Sequence, residues 1–202
     1  MLKRVTMERC LSGRTGTAAI RIEAPCLKYF KYSGFAMPII VKGCPPLEEA
    51  ELDFNLEYVF CRRHGNLIAY ILFHLQNNRV LTVCSYVTQD EEFCRPLLDV
   101  KTSWESQMSP IVCLERHLKN VCIKSFRGHE NEVHFLLFLL KKSRRIEELS
   151  IGIANETKQD WENYETYALA ARQLQQCDKA SPGLKICISF GEKGYDDMPD
   201  YI

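Results

Sequence analysis

The sequence predicts an α/β fold in which short parallel strands lie side by side in chain order. Three observations indicate this fold. A short apolar spacing recurs along the chain, helical periodicity occupies the longer gaps, and 46% of the 202 residues are apolar, which suffices for a packed core. We therefore expect an irregular leucine-rich-repeat-like solenoid, with a parallel sheet and helices on the outer face.

The recurring spacing is an apolar residue followed, three and five positions later, by two more. It is most complete at Leu2–Cys10, which reads L-x-x-V-x-M-x-x-C. LKYFKY, LEEAEL, LKNVCI and IEELSI repeat it, and NNRVLTV and TAAIRI keep its last two apolar positions. Alternate side chains of a strand point to one face, so these last two residues point inward. A non-repetitive α/β domain with coincidental spacing is the alternative.

The connections between the copies differ in length. Leu27 and Leu47 are 20 residues apart, and Leu118 and Ile146 are 28 apart. Both intervals agree with leucine-rich units of roughly 20–29 residues. The stretch Thr88–Pro110 is polar and contains two prolines, so we expect it to be an insertion.

Three segments carry the apolar periodicity of helices: Cys61–Asn77, His129–Ser143 and Tyr164–Asp178. The second has the widest apolar stripe, with glutamates in its first turn and the basic cluster KKSRR at its end. Both placements suit the helix dipole. We interpret KKSRR as a solvated helix end, with a nuclear signal or a phosphate patch as the alternative.

No catalytic, cofactor-binding or metal-binding residues are predicted. His129 and His134 are five positions apart, so they diverge by roughly 140° on a helix and cannot readily share a zinc ion. The ten cysteines include no C-x-x-C pair, and we expect most of them to be buried thiols in a reducing compartment, the cytoplasm or the nucleus. A hydrolase that depends on a cysteine or a metal is the alternative.

Charge and hydropathy indicate no nucleic-acid or membrane partner. Basic and acidic residues number 26 each, so the chain has no global field for polyanions. The longest strongly apolar run, Phe135–Leu140, is too short to span a bilayer.

The segment Cys113–Ile151 resembles the FBD region of plant F-box/FBD/leucine-rich-repeat proteins. It has a strand, the phrase FRG with acidic residues, a helix ending in LLK, and a leucine–glutamate strand. The phrases APCLKYFKYSG, CPPLEEAELDF and NRVLTVCSYV resemble the repeats of that family. The resemblance implies degenerate leucine-rich repeats at 1–112, an FBD region at 113–190 and a flexible tail at 191–202.

In that family an F-box docks a Skp-type adaptor of a cullin ubiquitin ligase, and the repeats are thought to hold the substrate. We expect the F-box to be absent from this chain. The resemblance therefore implies a non-catalytic protein-interaction module, with Skp adaptor and cullin as partners only in a longer form that carries an F-box. A truncated fragment without an autonomous role is the alternative.

The positions between the inward residues are expected to line an open face of the sheet, where a protein partner of mixed charge would bind. An equally ordinary interpretation is that these positions are merely solvated. The candidate binding residues on this face are Tyr29, Lys31, Glu49, Glu51, Asp53, Asn120, Lys124 and Glu148.

Overall fold

A computed structural model describes residues 2–10, 19–34, 39–43, 47–54, 72–75, 78–84, 111–154 and 161–190. The strands in these ranges are β1 (Arg4–Cys10), β2 (Ile20–Glu23), β3 (Tyr29–Gly34), β4 (Ile39–Lys42), β5 (Glu49–Phe54), β6 (Val80–Cys84), β7 (Asn120–Phe126), β8 (Glu148–Ile153) and β9 (Lys185–Phe190). The helices are α1 (Glu130–Lys142) and α2 (Trp161–Gln175), and a π-helical turn spans Cys113–His117.

The main sheet has seven strands in the order β1-β3-β5-β6-β7-β8-β9, and each neighbouring pair is parallel. The predicted α/β class and parallel sheet are therefore confirmed. On this sheet the apolar residues of each predicted copy lie opposite the equivalent residues of the next copy. Ala50 lies opposite Leu81, and Val121 lies opposite Leu149.

One strand prediction was wrong. Ile20 and Ile22 of TAAIRI lie in β2, which pairs with β4 in a separate two-stranded sheet. β2 ends at Glu23 and β3 begins at Tyr29. A parallel crossover within one sheet needs roughly a dozen residues, so this connection is too short for both strands to join the main sheet as neighbours.

The core lies on the side of the sheet to which the recurring apolar residues point. Leu27, Phe30 and Tyr32 are at most 1% exposed, and the corresponding residues of β5, β7 and β8 are also buried. In front of β6 the first apolar position is held by Asn78, which is 1% exposed. Its amide Nδ2 donates to the Val80 carbonyl at 2.9 Å, so the polar side chain is partly satisfied where a leucine would otherwise pack.

Shared carbonyls fix where four of the main-sheet strands begin, namely β3, β5, β7 and β8. The carbonyl of Lys28 accepts the N–H groups of Glu48 and Glu49, at 2.8 and 3.1 Å. The carbonyls of Lys3, Arg79 and Lys119 accept two N–H groups of the following strand entry in the same way. These bonds satisfy the backbone N–H groups at the points where the strands begin.

The two helices predicted at His129–Ser143 and Tyr164–Asp178 correspond to α1 and α2. In α1 the residues Phe135, Leu136, Leu139 and Leu140 are at most 1% exposed, as expected for a helix covered on more than one side. The third predicted helix, Cys61–Asn77, lies mostly outside the described residues, although 72–74 are helical. The insertion Thr88–Pro110 and the tail 191–202 also lie outside them.

The loop from β7 to α1 has a specific backbone path. Ser125 has φ 59° at a register shift in β7, and Gly128 has φ 74°. The buried carboxylate of Glu132 accepts the N–H of His129 at 2.8 Å and the N–H of Arg127 at 3.1 Å through Oε2. Glu132 therefore ties the loop to the first turn of α1.

Candidate functional site

The side of the main sheet away from the core is the open face. It is formed by the strand residues that alternate with the buried ones, and the described helices pack with the opposite, apolar side. Along β5 this face presents Glu49, Glu51 and Asp53, while Ala50 and Leu52 between them are buried. The pleat of each strand thus separates a polar surface from the core.

Glu51 is the centre of the charges on the open face. Its carboxylate lies 2.7 Å from the Lys124 Nζ on β7 and 3.8 Å from the Lys31 Nζ on β3. Lys31 also lies 3.6 Å from the carboxylate of Glu8 on β1. The contact with Lys124 crosses β6, where Thr82 presents a short side chain opposite Glu51. Charges from four strands therefore form one connected group.

Lys124 is held in its charged form. Burial alone disfavours its positive charge, but the hydrogen bond and the negative charge of Glu51 outweigh burial, so the pKa of Lys124 lies above its ordinary value. Because the group is partly open to solvent, its ion pairs contribute only about 0.2–1 kcal/mol each to stability. They order the surface more than they stabilise the fold.

A second polar group lies where β3 and β5 begin. Glu48 accepts hydrogen bonds from the Lys28 ammonium at 2.5 Å and from the Tyr29 hydroxyl at 2.9 Å. The bond from Lys28, followed by that from Tyr29, lowers the pKa of Glu48. The Arg4 guanidinium lies 4.8 Å from the centre of the Tyr29 ring. Tyr29 is therefore held at both its hydroxyl and its ring.

One row of side chains on the open face, across β6 to β9, differs from the charge group. This row, in register, is neutral and short-chained: Thr82, Cys122, Ser150 and Cys187. Burial raises the pKa of the Cys122 thiol despite the nearby Lys124 ammonium. The open face thus combines the connected charge group with one neutral row of short side chains.

The comparisons with known proteins identify one part of the chain. The FBD family matches residues 106–151. These residues form an FBD domain. The chain matches no curated protein and no solved structure. The described part of the FBD domain contains the π-helical turn, β7, α1 and the start of β8.

All eight candidate binding residues lie on the open face, and three of them belong to the FBD domain: Asn120, Lys124 and Glu148. The register places Tyr29 opposite Glu49 and Asn120 opposite Glu148. Their role in binding stays a prediction. Sequence reasoning did not find the ion pairs around Glu51, nor the contacts of Glu48 with Lys28 and Tyr29, because both depend on strand register.

The described residues contain no group of three or more histidine, cysteine, aspartate or glutamate side chains that could hold a metal ion. His134 lies on α1 with its Nε2 3.9 Å from the carboxylate of Glu130, while His129 precedes the helix. The two histidines therefore belong to the beginning of a helix. Among the described helices, none has the length and apolar character needed to cross a membrane.

Cys113 of the FBD domain is expected to resist alkylation in the native protein. It is 1% exposed, its thiol donates to the Leu72 carbonyl at 3.3 Å, and burial raises its pKa to about 12, so almost no thiolate forms at neutral pH. Iodoacetamide labelling followed by peptide mass spectrometry should modify the exposed Cys187 well before Cys113. The urea-unfolded chain, in which both label alike, is the control, and rapid native labelling of Cys113 would contradict the prediction.

Proposed function

We propose that this protein is a non-catalytic protein-binding module that holds its partner on the open face of the main sheet. The observation that carries the proposal is the connected charge group of Glu8, Lys31, Glu51 and Lys124, displayed on a sheet surface that the described helices leave open. Charges prearranged on a fixed backbone favour specificity and register in protein recognition.

The proposal extends to the architecture and the assembly. The regular register of the strand entries supports leucine-rich-repeat character for the part before the FBD domain. The FBD domain supports a relation to F-box proteins, and hence a role like that of the substrate-recognition part of a plant F-box ubiquitin ligase subunit. Skp-type adaptor and cullin would join only through an F-box in a longer form.

The proposed compartment is the cytoplasm or the nucleus. Cys26, Cys84, Cys113, Cys122, Cys177 and Cys187 are free thiols in the described part of the chain, which suits a reducing environment. Neither nucleic acid nor a membrane is a proposed partner, since the chain carries 26 basic and 26 acidic residues.

Charge reversal on the open face tests the proposal. The variant Glu49→Arg/Glu51→Arg is expected to lose partner proteins that the parent chain captures from plant extract, because it repels Lys31 and Lys124 and inverts the charge of β5. The matched control is Glu130→Arg/Glu165→Arg, which makes the same charge change at exposed helix positions.

Quantitative mass spectrometry of the captured proteins is the measurement. Partners lost by the face variant and kept by the helix variant support the open face as the binding surface. If both variants retain the partners, the open face is excluded as the binding surface and the proposed function is contradicted. Thermal unfolding of both variants separates lost binding from lost folding.

A further inference from the structure

Four cationic side chains lie in the last turn of α1 and just after it, and none of them belongs to the charge group of the open face. Lys141, Lys142, Arg144 and Arg145 are all exposed. Within the described part of the chain, none of these four side chains forms an ion pair or a side-chain hydrogen bond. The nearest carboxylate along the sequence, Glu147, is already paired with Lys119 at 2.5 Å.

The backbone that carries the two arginines is fixed at both ends. Ser143 is completely buried and its N–H donates to the Leu139 carbonyl at 2.9 Å. Ile146 is 1% exposed, and its carbonyl accepts the buried Ser181 hydroxyl at 2.8 Å. Arg144 and Arg145 therefore project from a short segment held between two buried anchors.

A fifth cation, Lys179, reaches the same region from the segment that follows α2. The N–H of Ala180 donates to the Leu140 carbonyl at 2.9 Å, which brings Lys179 next to the end of α1. Lys179 uses its ammonium to cap the Gln175 carbonyl at 2.7 Å, and Asp178 beside it is exposed. We call Lys141, Lys142, Arg144, Arg145 and Lys179 the basic corner.

The helix dipole explains only part of this arrangement. Lys141 and Lys142 lie in the last turn of α1, and Lys179 caps α2, where positive charge is favourable. Arg144 and Arg145 come after Ser143, whose ψ of 100° ends the helix. They cap no described carbonyl and pair with no described acid, yet their backbone is fixed. Two adjacent arginines on a fixed backbone, with guanidinium groups that form no ion pair in the described part of the chain, suit bidentate pairing with carboxylates.

We infer that the basic corner binds a short acidic segment of a partner protein, whose carboxylates pair with Arg144 and Arg145. The corner contains five cations in a chain with no net charge, which suits a short stretch of acid and provides no long-range field for nucleic acid. The site lies in and beside the FBD domain and does not use the residues of the open face.

The test is the affinity of the purified chain for a fluorescent oligo-glutamate peptide, measured by anisotropy at low and moderate salt. The parent chain is expected to bind the peptide, and Arg144→Gln/Arg145→Gln is expected to bind about tenfold more weakly. Lys3→Gln/Arg21→Gln removes the same charge at two exposed sites elsewhere and is expected to bind as the parent does.

Three results would overturn the inference: no binding by the parent chain, equal binding by the arginine variant, or equal loss in the control variant. Binding of a DNA duplex or of anionic lipid vesicles as tightly as the peptide would overturn the choice of a protein partner. The open-face variant Glu49→Arg/Glu51→Arg keeps the basic corner and adds positive charge, so it is expected to bind the peptide at least as tightly as the parent chain, and this test and that of the proposed function fail independently.

Discussion

Gly128→Ala is expected to destabilise the fold by about 3 kcal/mol, because it combines two costs. Gly128 has φ 74°, a left-handed conformation that costs a residue with a Cβ about 1–2 kcal/mol. A Cβ at this position would also lie 2.9 Å from the Cβ of Ala170 on α2, closer than two carbons can pack. Urea unfolding monitored by circular dichroism measures the loss.

Two other glycines separate these costs. Gly43 has φ 64° with nothing within 4 Å of an added Cβ, so Gly43→Ala should lose only the conformational part. Gly183 also has open space and no left-handed backbone, so Gly183→Ala should change stability by less than about 0.5 kcal/mol. A loss for Gly128→Ala no larger than that for Gly43→Ala would show that the contact with Ala170 carries no cost.

Glu132→Ala is expected to lower the free energy of unfolding by about 3 kcal/mol, although glutamates on helices are mostly exposed. Glu132 is 1% exposed, and its carboxylate accepts the N–H groups of Arg127 and His129. Alanine would remove the acceptor of two loop N–H groups, and a hydrogen bond to a charged group contributes about 1.5–3 kcal/mol. The free energy of unfolding, measured by urea titration, tests this expectation.

The matched control lies in the same turn of the same helix. Glu130 has a side chain that is 86% exposed, so Glu130→Ala should change stability by no more than about 0.5 kcal/mol. Glu132→Gln, which keeps one carbonyl oxygen as acceptor, should lose less than Glu132→Ala. Similar losses for Glu130→Ala and Glu132→Ala would disprove the role of the buried carboxylate.

The contrast between these two glutamates shows where sequence reasoning stops. Acid in the first turn of a helix is predictable from the dipole, and both residues were expected there. The sequence does not distinguish the exposed Glu130 from the buried Glu132, because burial of Glu132 depends on the path of the loop that contains Gly128. Strand placement was predictable where the apolar spacing was intact, as at Leu27–Tyr32 and Ile146–Ile151.

Elsewhere the deciding information is three-dimensional. Asn78 occupies a position where the pattern predicts an apolar residue, and its bond to the Val80 carbonyl satisfies only its amide N–H side. β4 was not among the predicted copies of the spacing, and β2 with TAAIRI pairs with it outside the main sheet. Glu51 and Lys124 are 73 residues apart, so their contact follows only from the register of β5, β6 and β7.

The shared carbonyls before the strands have a consequence for how such a chain tolerates change. β3, β5, β7 and β8 are each aligned by a carbonyl at the entry of the neighbouring strand, so their alignment does not depend on how much polypeptide separates one strand from the next. The chain at 55–71 and at 85–110, which contains none of these entry residues, can lengthen or shorten at a loop-closure cost that grows only slowly with length. Natural variation in length should therefore concentrate there. An epitope tag inserted there should leave the arrangement of the open-face side chains unchanged.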